Sequence, residues 1–211
     1  MKPFFKKGQV VLFQGDSVTD CGRIREDISS LAGYAGKIAS IYNTLFPENE
    51  VVFINKGVSG DRVPDLIVRY GDDFLDIEPD FISILIGIND VWRRYDSNDP
   101  STVDAFRDHY EYLLKMIKHN MPEAKIMIME PFVLDSLPDR ATWREDLDPK
   151  IQVVRELARE FADYYISLDG IFASLCVNTY SPAELSPDGV HPSDLGHSVI
   201  ADAYLKALEI I

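Results

Sequence analysis

Five short apolar runs, none of them alternating with polar residues, restrict this chain more than any other feature. They span residues 9–14, 51–55, 80–87, 125–130 and 164–168. A strand with one wet face alternates, whereas a run that is apolar throughout belongs to a sheet covered on both faces. The covers lie between the runs. Tyr34, Ile38, Ile41 and Leu45 fall on one face of a helix stopped by Pro47, and Val63, Leu66, Ile67 and Tyr70 mark a second helix. Phe106, Tyr110, Leu113, Leu114 and Ile117 mark a third, entered near Ser101 or Thr102. Ile151, Val154, Leu157, Ala158 and Phe161 mark a fourth. Leu195, Val199, Ala203, Leu205 and Leu208 mark a terminal helix with Ser193 as its N-cap. Strand and helix in alternation predict a three-layer α/β/α sandwich around a parallel sheet of about five strands. The 211 residues hold no repeat, linker or low-complexity tract, so residues 1–211 read as a single domain.

Sites in such sheets form beyond the carboxyl ends of the strands. Three small polar clusters stand there: Gly15-Asp16-Ser17-Val18-Thr19-Asp20 after the first run, Asn55-Lys56-Gly57-Val58-Ser59-Gly60-Asp61 after the second, and Gly87-Ile88-Asn89-Asp90 after the third. A fourth, Ser186-Pro187-Asp188-Gly189-Val190-His191-Pro192, precedes the last helix. Asp188 and His191 are three residues apart, so one turn can bring the carboxylate to the imidazole. That pairing fixes the ring tautomer and leaves the other nitrogen free to act as a base. A serine hydroxyl needs such a base to become a nucleophile, and Ser17 is the candidate. Acyl transfer also needs donors for the developing oxyanion. The backbone N–H groups of Ser17 and Gly60 and the side-chain amide of Asn89 fit that need, with Gly57 as the alternative backbone donor.

Other residues admit structural readings. Asp16 either contacts substrate or shapes its loop through local backbone hydrogen bonds. Asp90 and Arg93 either touch substrate or pair with each other. Trp92 stands beside the third cluster. His109, His119 and His197 read as helix residues, and Trp143, Phe132, Tyr180 and Phe172 as pocket or core aromatics. The stretch 132–147 is long for a compact connection, and is expected to border the acyl or sugar pocket or an oligomer contact.

Composition excludes several functions. A net charge of −14 argues against nucleic-acid binding, which calls for a basic face. No run reaches membrane-spanning length, and the N-terminus lacks the apolar stretch of a signal peptide. Cys21 and Cys176 are too few for a disulfide framework, so the chain reads as cytoplasmic and reduced. No cysteine pair accompanies Asp188, His191 and His197, so no metal is expected.

The four ordered clusters resemble the conserved blocks of the SGNH hydrolases, the GDSL-type lipases and esterases. Ser17, Gly60, Asn89 and His191 match the family's four name-giving residues, and Asp188 its acid. The resemblance implies a flavodoxin-like fold, no cofactor, and a Ser-His-Asp triad with an oxyanion hole at Ser17, Gly60 and Asn89. Residues 15–23, 55–60 and 87–93 are similar to the bacterial acetylxylan esterase branch. That likeness implies removal of acetyl groups from xylan-derived sugars, with homo-oligomers possible, and the Trp92 indole could then stack on a sugar ring. The same machinery also serves short-chain carboxylesterases, lysophospholipases and thioesterases.

Overall fold

The computed structural model describes residues 2–211. Among them, five strands form one parallel sheet: β1 (Val10–Gly15), β2 (Val52–Asn55), β3 (Phe81–Leu85), β4 (Lys125–Met129) and β5 (Tyr164–Ile166). Their order is β2-β1-β3-β4-β5. This is the flavodoxin-like order, whose direction of winding reverses between β1 and β3.

The apolar runs lack alternation because each strand feeds two cores. Val11, Phe13, Phe81, Leu85, Met127 and Met129 point to one face, where they meet α2 (Gly33–Leu45) and α9 (Asp194–Ala207). Leu12, Ile82, Ile84, Ile126 and Ile128 point to the other, against α3 (Val63–Val68), α5 (Val103–Asn120) and α6 (Arg144–Phe161). In β3 a polar side chain interrupts the pattern: Ser83 is fully buried and satisfied by the Tyr204 hydroxyl at 2.9 Å. Caps fix two helix starts. Thr102 accepts from the Ala105 N–H at 3.1 Å, and Ser193 from the Gly196 N–H at 3.2 Å.

The structure departs from the sequence reading in four places. The α2 stripe is shifted: Tyr34, Ala35, Ile38, Ala39 and Tyr42 are buried, while Ile41 and Leu45 are 38% and 40% exposed. Two alanines let the helix approach the sheet, and size-based periodicity overlooked them. The fifth run is divided. Only Tyr164–Ile166 pair as strand, and Leu168 opens α7 (Leu168–Asn178), whose Gly170 weakens its helical signature. The third cluster is not only a turn, because Asn89 begins α4 (Asn89–Asp96). Finally, half of the 132–147 stretch is helical. A 3-10 turn over Arg140–Trp143 runs directly into α6, which passes through the exposed Pro149. Pro149 removes one backbone hydrogen bond on the solvent side, where water replaces it.

Because the buried face of α2 carries Ile38, Ile38→Ala should destabilise the fold by about 2–5 kcal/mol. Leu45→Ala should change stability by about 0.5 kcal/mol or less. Urea unfolding of both variants measures this, and equal losses would contradict the assigned face.

Candidate active site

Three of the four polar clusters follow β2, β1 and β3, which are neighbours in the sheet. Asp16 begins the first. Its carboxylate accepts from the Val18 N–H at 3.0 Å and caps the single helical turn α1 (Ser17–Asp20). The carboxylate is only 1% exposed, so it shapes the loop and offers no open face to a substrate. Burial pushes its pKa up to about 7. Ser17 opens the turn half-buried, with its N–H at the helix N-terminus and no acceptor among the described residues.

The second cluster is tied to the first by groups the sequence did not single out. Asn55 donates to the Thr19 carbonyl at 2.6 Å. Asp20 accepts from the backbone N–H and the hydroxyl of Ser59, at 3.0 and 2.7 Å, and from Arg25 at 2.6 Å. Their signal was position alone, inside the two clusters. The loop ends on the exposed Gly60 at φ +92°, a conformation that disfavours a side chain. The Gly60 N–H has no acceptor within the described chain. The Gly57 N–H is occupied by Asn55 Oδ1 at 2.9 Å, so Gly57 is not the free donor.

In the third cluster Asn89 is 2% exposed. Its Nδ2 donates to the Asp61 carbonyl at 3.0 Å, and its Oδ1 accepts from Arg93 Nη2 at 3.2 Å. The two contacts orient the amide and leave one N–H uncommitted. Asp90 and Arg93 do not pair. Asp90 is buried beside the Val63 N–H, with its pKa pushed by burial up to about 7, and Arg93 pairs with Asp96.

The fourth cluster completes the relay. His191 Nε2 lies 2.9 Å from Ser17 Oγ, and His191 Nδ1 lies 2.6 Å from Asp188 Oδ2. A carboxylate only accepts, so Nδ1 carries the proton and Nε2 presents its lone pair to the serine hydroxyl. Asp188 Oδ1 accepts from the Val190 and His191 N–H groups at 2.9 and 2.7 Å. Partial burial works to raise the Asp188 carboxyl, but these hydrogen bonds outweigh it and hold it well below the usual range. The hydrogen bond that His191 Nδ1–H gives to Asp188 raises His191 above 6.5 against the opposing effect of burial. Gly189, at φ +85°, lets the turn lie against the 132–147 stretch, where a Cβ would sit 2.4 Å from the Leu134 carbonyl. Leu134 N–H donates to the Gly189 carbonyl at 2.8 Å, and Ser136 Oγ to the Ser186 carbonyl at 2.6 Å.

Trp92 is beside the relay, its ring centroid 5.7 Å from that of His191 and 5.3 Å from that of Trp143. Trp143, Phe132 and Phe172 are core residues. Tyr180 lines a cleft of about 960 Å³ between α7 and α9 that contains none of the relay residues. His109 and His119 lie on α5 and His197 on α9. A second histidine pair, Cys21 Sγ to His197 Nε2 at 3.2 Å, has the opposite polarity. The Tyr34 N–H donates to His197 Nδ1 at 3.1 Å, so Nε2 carries the hydrogen and donates to sulfur. This imidazole cannot take the thiol proton, and burial pushes its pKa down to about 4. No group of three potential metal ligands occurs among the described residues, and no helix is long and apolar enough to cross a membrane.

A model of the GDSL-like lipase/acylhydrolase family matches residues 13–199, a span that contains every residue of the relay. The chain belongs to this family. This GDSL-type hydrolase is 35% identical over 208 residues to an acetylxylan esterase of Geobacillus stearothermophilus, covering 95% of this chain and 94% of that one. Among solved structures, a protein described as a GDSL-like lipase from Parabacteroides merdae superposes with a TM-score of 0.93 at 31% identity, over 100% of both chains. The acetylxylan esterase Axe2 of Geobacillus stearothermophilus superposes with a TM-score of 0.87 at 32% identity, over 99% of this chain and 96% of that one. Three variants of Axe2, each with a serine, an aspartate or a histidine replaced by alanine, are described as catalytic mutants. Like its family, the chain is a carboxylic ester hydrolase with similarity to acetylxylan esterases.

The opposed environments of the two histidines are measurable. In an NMR titration His191 should protonate with a midpoint above 6.5, while His197 stays neutral down to about pH 4. Asp188→Asn should lower the His191 midpoint and leave that of His197 in place. A shared midpoint near 6.5 would contradict the described contacts.

Proposed function

We propose that this GDSL-type hydrolase removes acetyl groups from carbohydrates, of which xylan-derived oligosaccharides are the best candidates, with Ser17 as nucleophile. The observation that carries the reading is the unbroken relay from Ser17 Oγ through His191 to Asp188, at 2.9 and 2.6 Å. Ser17 attacks the acetyl carbonyl while His191 Nε2 takes the hydroxyl proton. Asp188 keeps the ring oriented and stabilises the imidazolium. The oxyanion of the tetrahedral intermediate rests on the Ser17 N–H, the Gly60 N–H and the uncommitted Asn89 Nδ2–H. His191 then gives its proton to the departing sugar oxygen, leaving an acetyl ester on Ser17. Water attacks that ester with His191 again as base, and acetate leaves. No cofactor takes part in this scheme.

Two observations favour an acetylated sugar. The half-buried Trp92 stands beside His191, where its indole can receive the sugar ring. The likeness to Axe2 supports the same substrate class. In Axe2 the aspartate and histidine described as catalytic are three positions apart, as Asp188 and His191 are here.

Acetate release from acetylated xylobiose, measured beside a p-nitrophenyl ester series of increasing acyl length, tests the reading with Ser17→Ala as control. The expected result is fast release from the sugar, a steep fall beyond short acyl groups, and a loss in Ser17→Ala of about three or more orders of magnitude in kcat. Hydrolysis sustained through long acyl chains with little acetate from the sugar would overturn the substrate assignment. Full activity in Ser17→Ala would overturn the mechanism.

A further inference from the structure

Arg140 sits at the start of the 3-10 turn, outside the four polar clusters, and no step of the reaction above uses it. It is 7% exposed, an unusual place for a guanidinium. Its Nε donates to the Asp188 main-chain carbonyl at 2.7 Å. Its guanidinium carbon stands 4.0 Å from the ring centroid of Trp143 and 5.5 Å from that of Trp92, the residue that flanks His191. Its one carboxylate partner is the neighbouring Asp139, at 2.5 Å.

The surroundings explain why the group is held there. Ile88 and Val91 from the third cluster, Val190 from the catalytic turn, and Val133, Trp143 and Leu147 from the long connection form a small core of their own, separate from the two sheet cores. Arg140 ties this core to the turn at the residue that orients His191. Leu134 and Ser136 hold the two carbonyls on either side, those of Gly189 and Ser186. A brace that only held the backbone would not need a buried charge, because a neutral donor would serve at lower desolvation cost. The charge acts on the ring: a cation near His191 disfavours imidazolium and so opposes the effect of Asp188.

We propose that Arg140 is a positioning residue for catalysis: it fixes the Asp188–His191 turn from behind through the Asp188 main-chain carbonyl. The inference rests on the assignment of Ser17 and His191 as nucleophile and base. It gives the 132–147 stretch a role beyond lining a pocket.

The test compares Arg140→Lys and Arg140→Met with wild type and Ser17→Ala, with rates expressed per active site titrated by a serine-reactive phosphonate. The charged and titratable groups that act on His191 are Asp188, Asp16, Arg140 and, from α9, the neutral His197, and only Arg140 is varied. Arg140→Met should lower kcat by about ten- to a hundredfold per titrated site through misplacement of the base. KM should stay within about threefold, because substrate contacts are untouched. The ascending limb of its kcat/KM profile should move to higher pH, since loss of the cation lets His191 hold its proton longer. Arg140→Lys keeps the charge without the planar fork, so its kcat should fall while its limb stays in place. Wild-type kcat per titrated site in both variants would overturn the proposal. Should Arg140→Met not fold, an unreduced kcat in Arg140→Lys overturns it alone. An inactive Ser17→Ala beside normal Arg140 variants defeats only this inference, whereas an active Ser17→Ala defeats the assignment beneath it.

Discussion

β1 is hydrogen-bonded on both sides, to β2 through Val11–Phe53 and to β3 through Leu12–Ile82, and all three strands run the same way. The chain that leaves β1 therefore emerges between the chains that leave β2 and β3. The nucleophile candidate and two oxyanion-donor candidates come from three separate segments, but this register sets them side by side at the point where the winding reverses. The fourth segment arrives from the far end of the chain, carried by α9 against α2 on one face of the sheet. Side chains more than 170 positions apart thus meet at one edge of the sheet.

Each loop at this edge is then fixed by its neighbours. Asp20 and Asn55 hold the second cluster to the first. The Asp61 carbonyl holds the Asn89 amide, and the long connection holds the histidine turn. The result is a candidate site in which the Ser17 N–H, the Gly60 N–H and one Asn89 N–H have no acceptor among the described residues. That is the condition under which fixed dipoles stabilise a developing charge without having to reorganise.

Much of this was legible in the sequence for a physical reason. Strands buried on both faces are long apolar runs, and helices that cover them repeat at 3.6 residues, so the layers followed from periodicity. The polar clusters stood out because they interrupt those runs at the strand ends. What stayed hidden was set by tertiary packing. The buried stripe of α2 runs through Ala35 and Ala39, which carry little hydrophobic signal, and α7 is blurred by Gly170. Gly60 is distinguished from Gly57 as a donor candidate by the hydrogen bond that the Gly57 N–H gives to Asn55 Oδ1, and Arg140 reaches the Asp188 carbonyl 48 positions away. No local pattern encodes the second.

The central claim is that the acyl group passes through an ester on Ser17, and the direct measurement is chemical. The enzyme is quenched in acid during steady-state hydrolysis of an acetyl ester, digested, and its peptides are weighed. The account predicts one acetyl group, confined to Ser17, with a lifetime that shortens as pH rises and His191 becomes available to activate water. Acetylation at another residue, or full turnover with no acetyl-enzyme at any quench time and with Ser17 replaced by alanine, would contradict it.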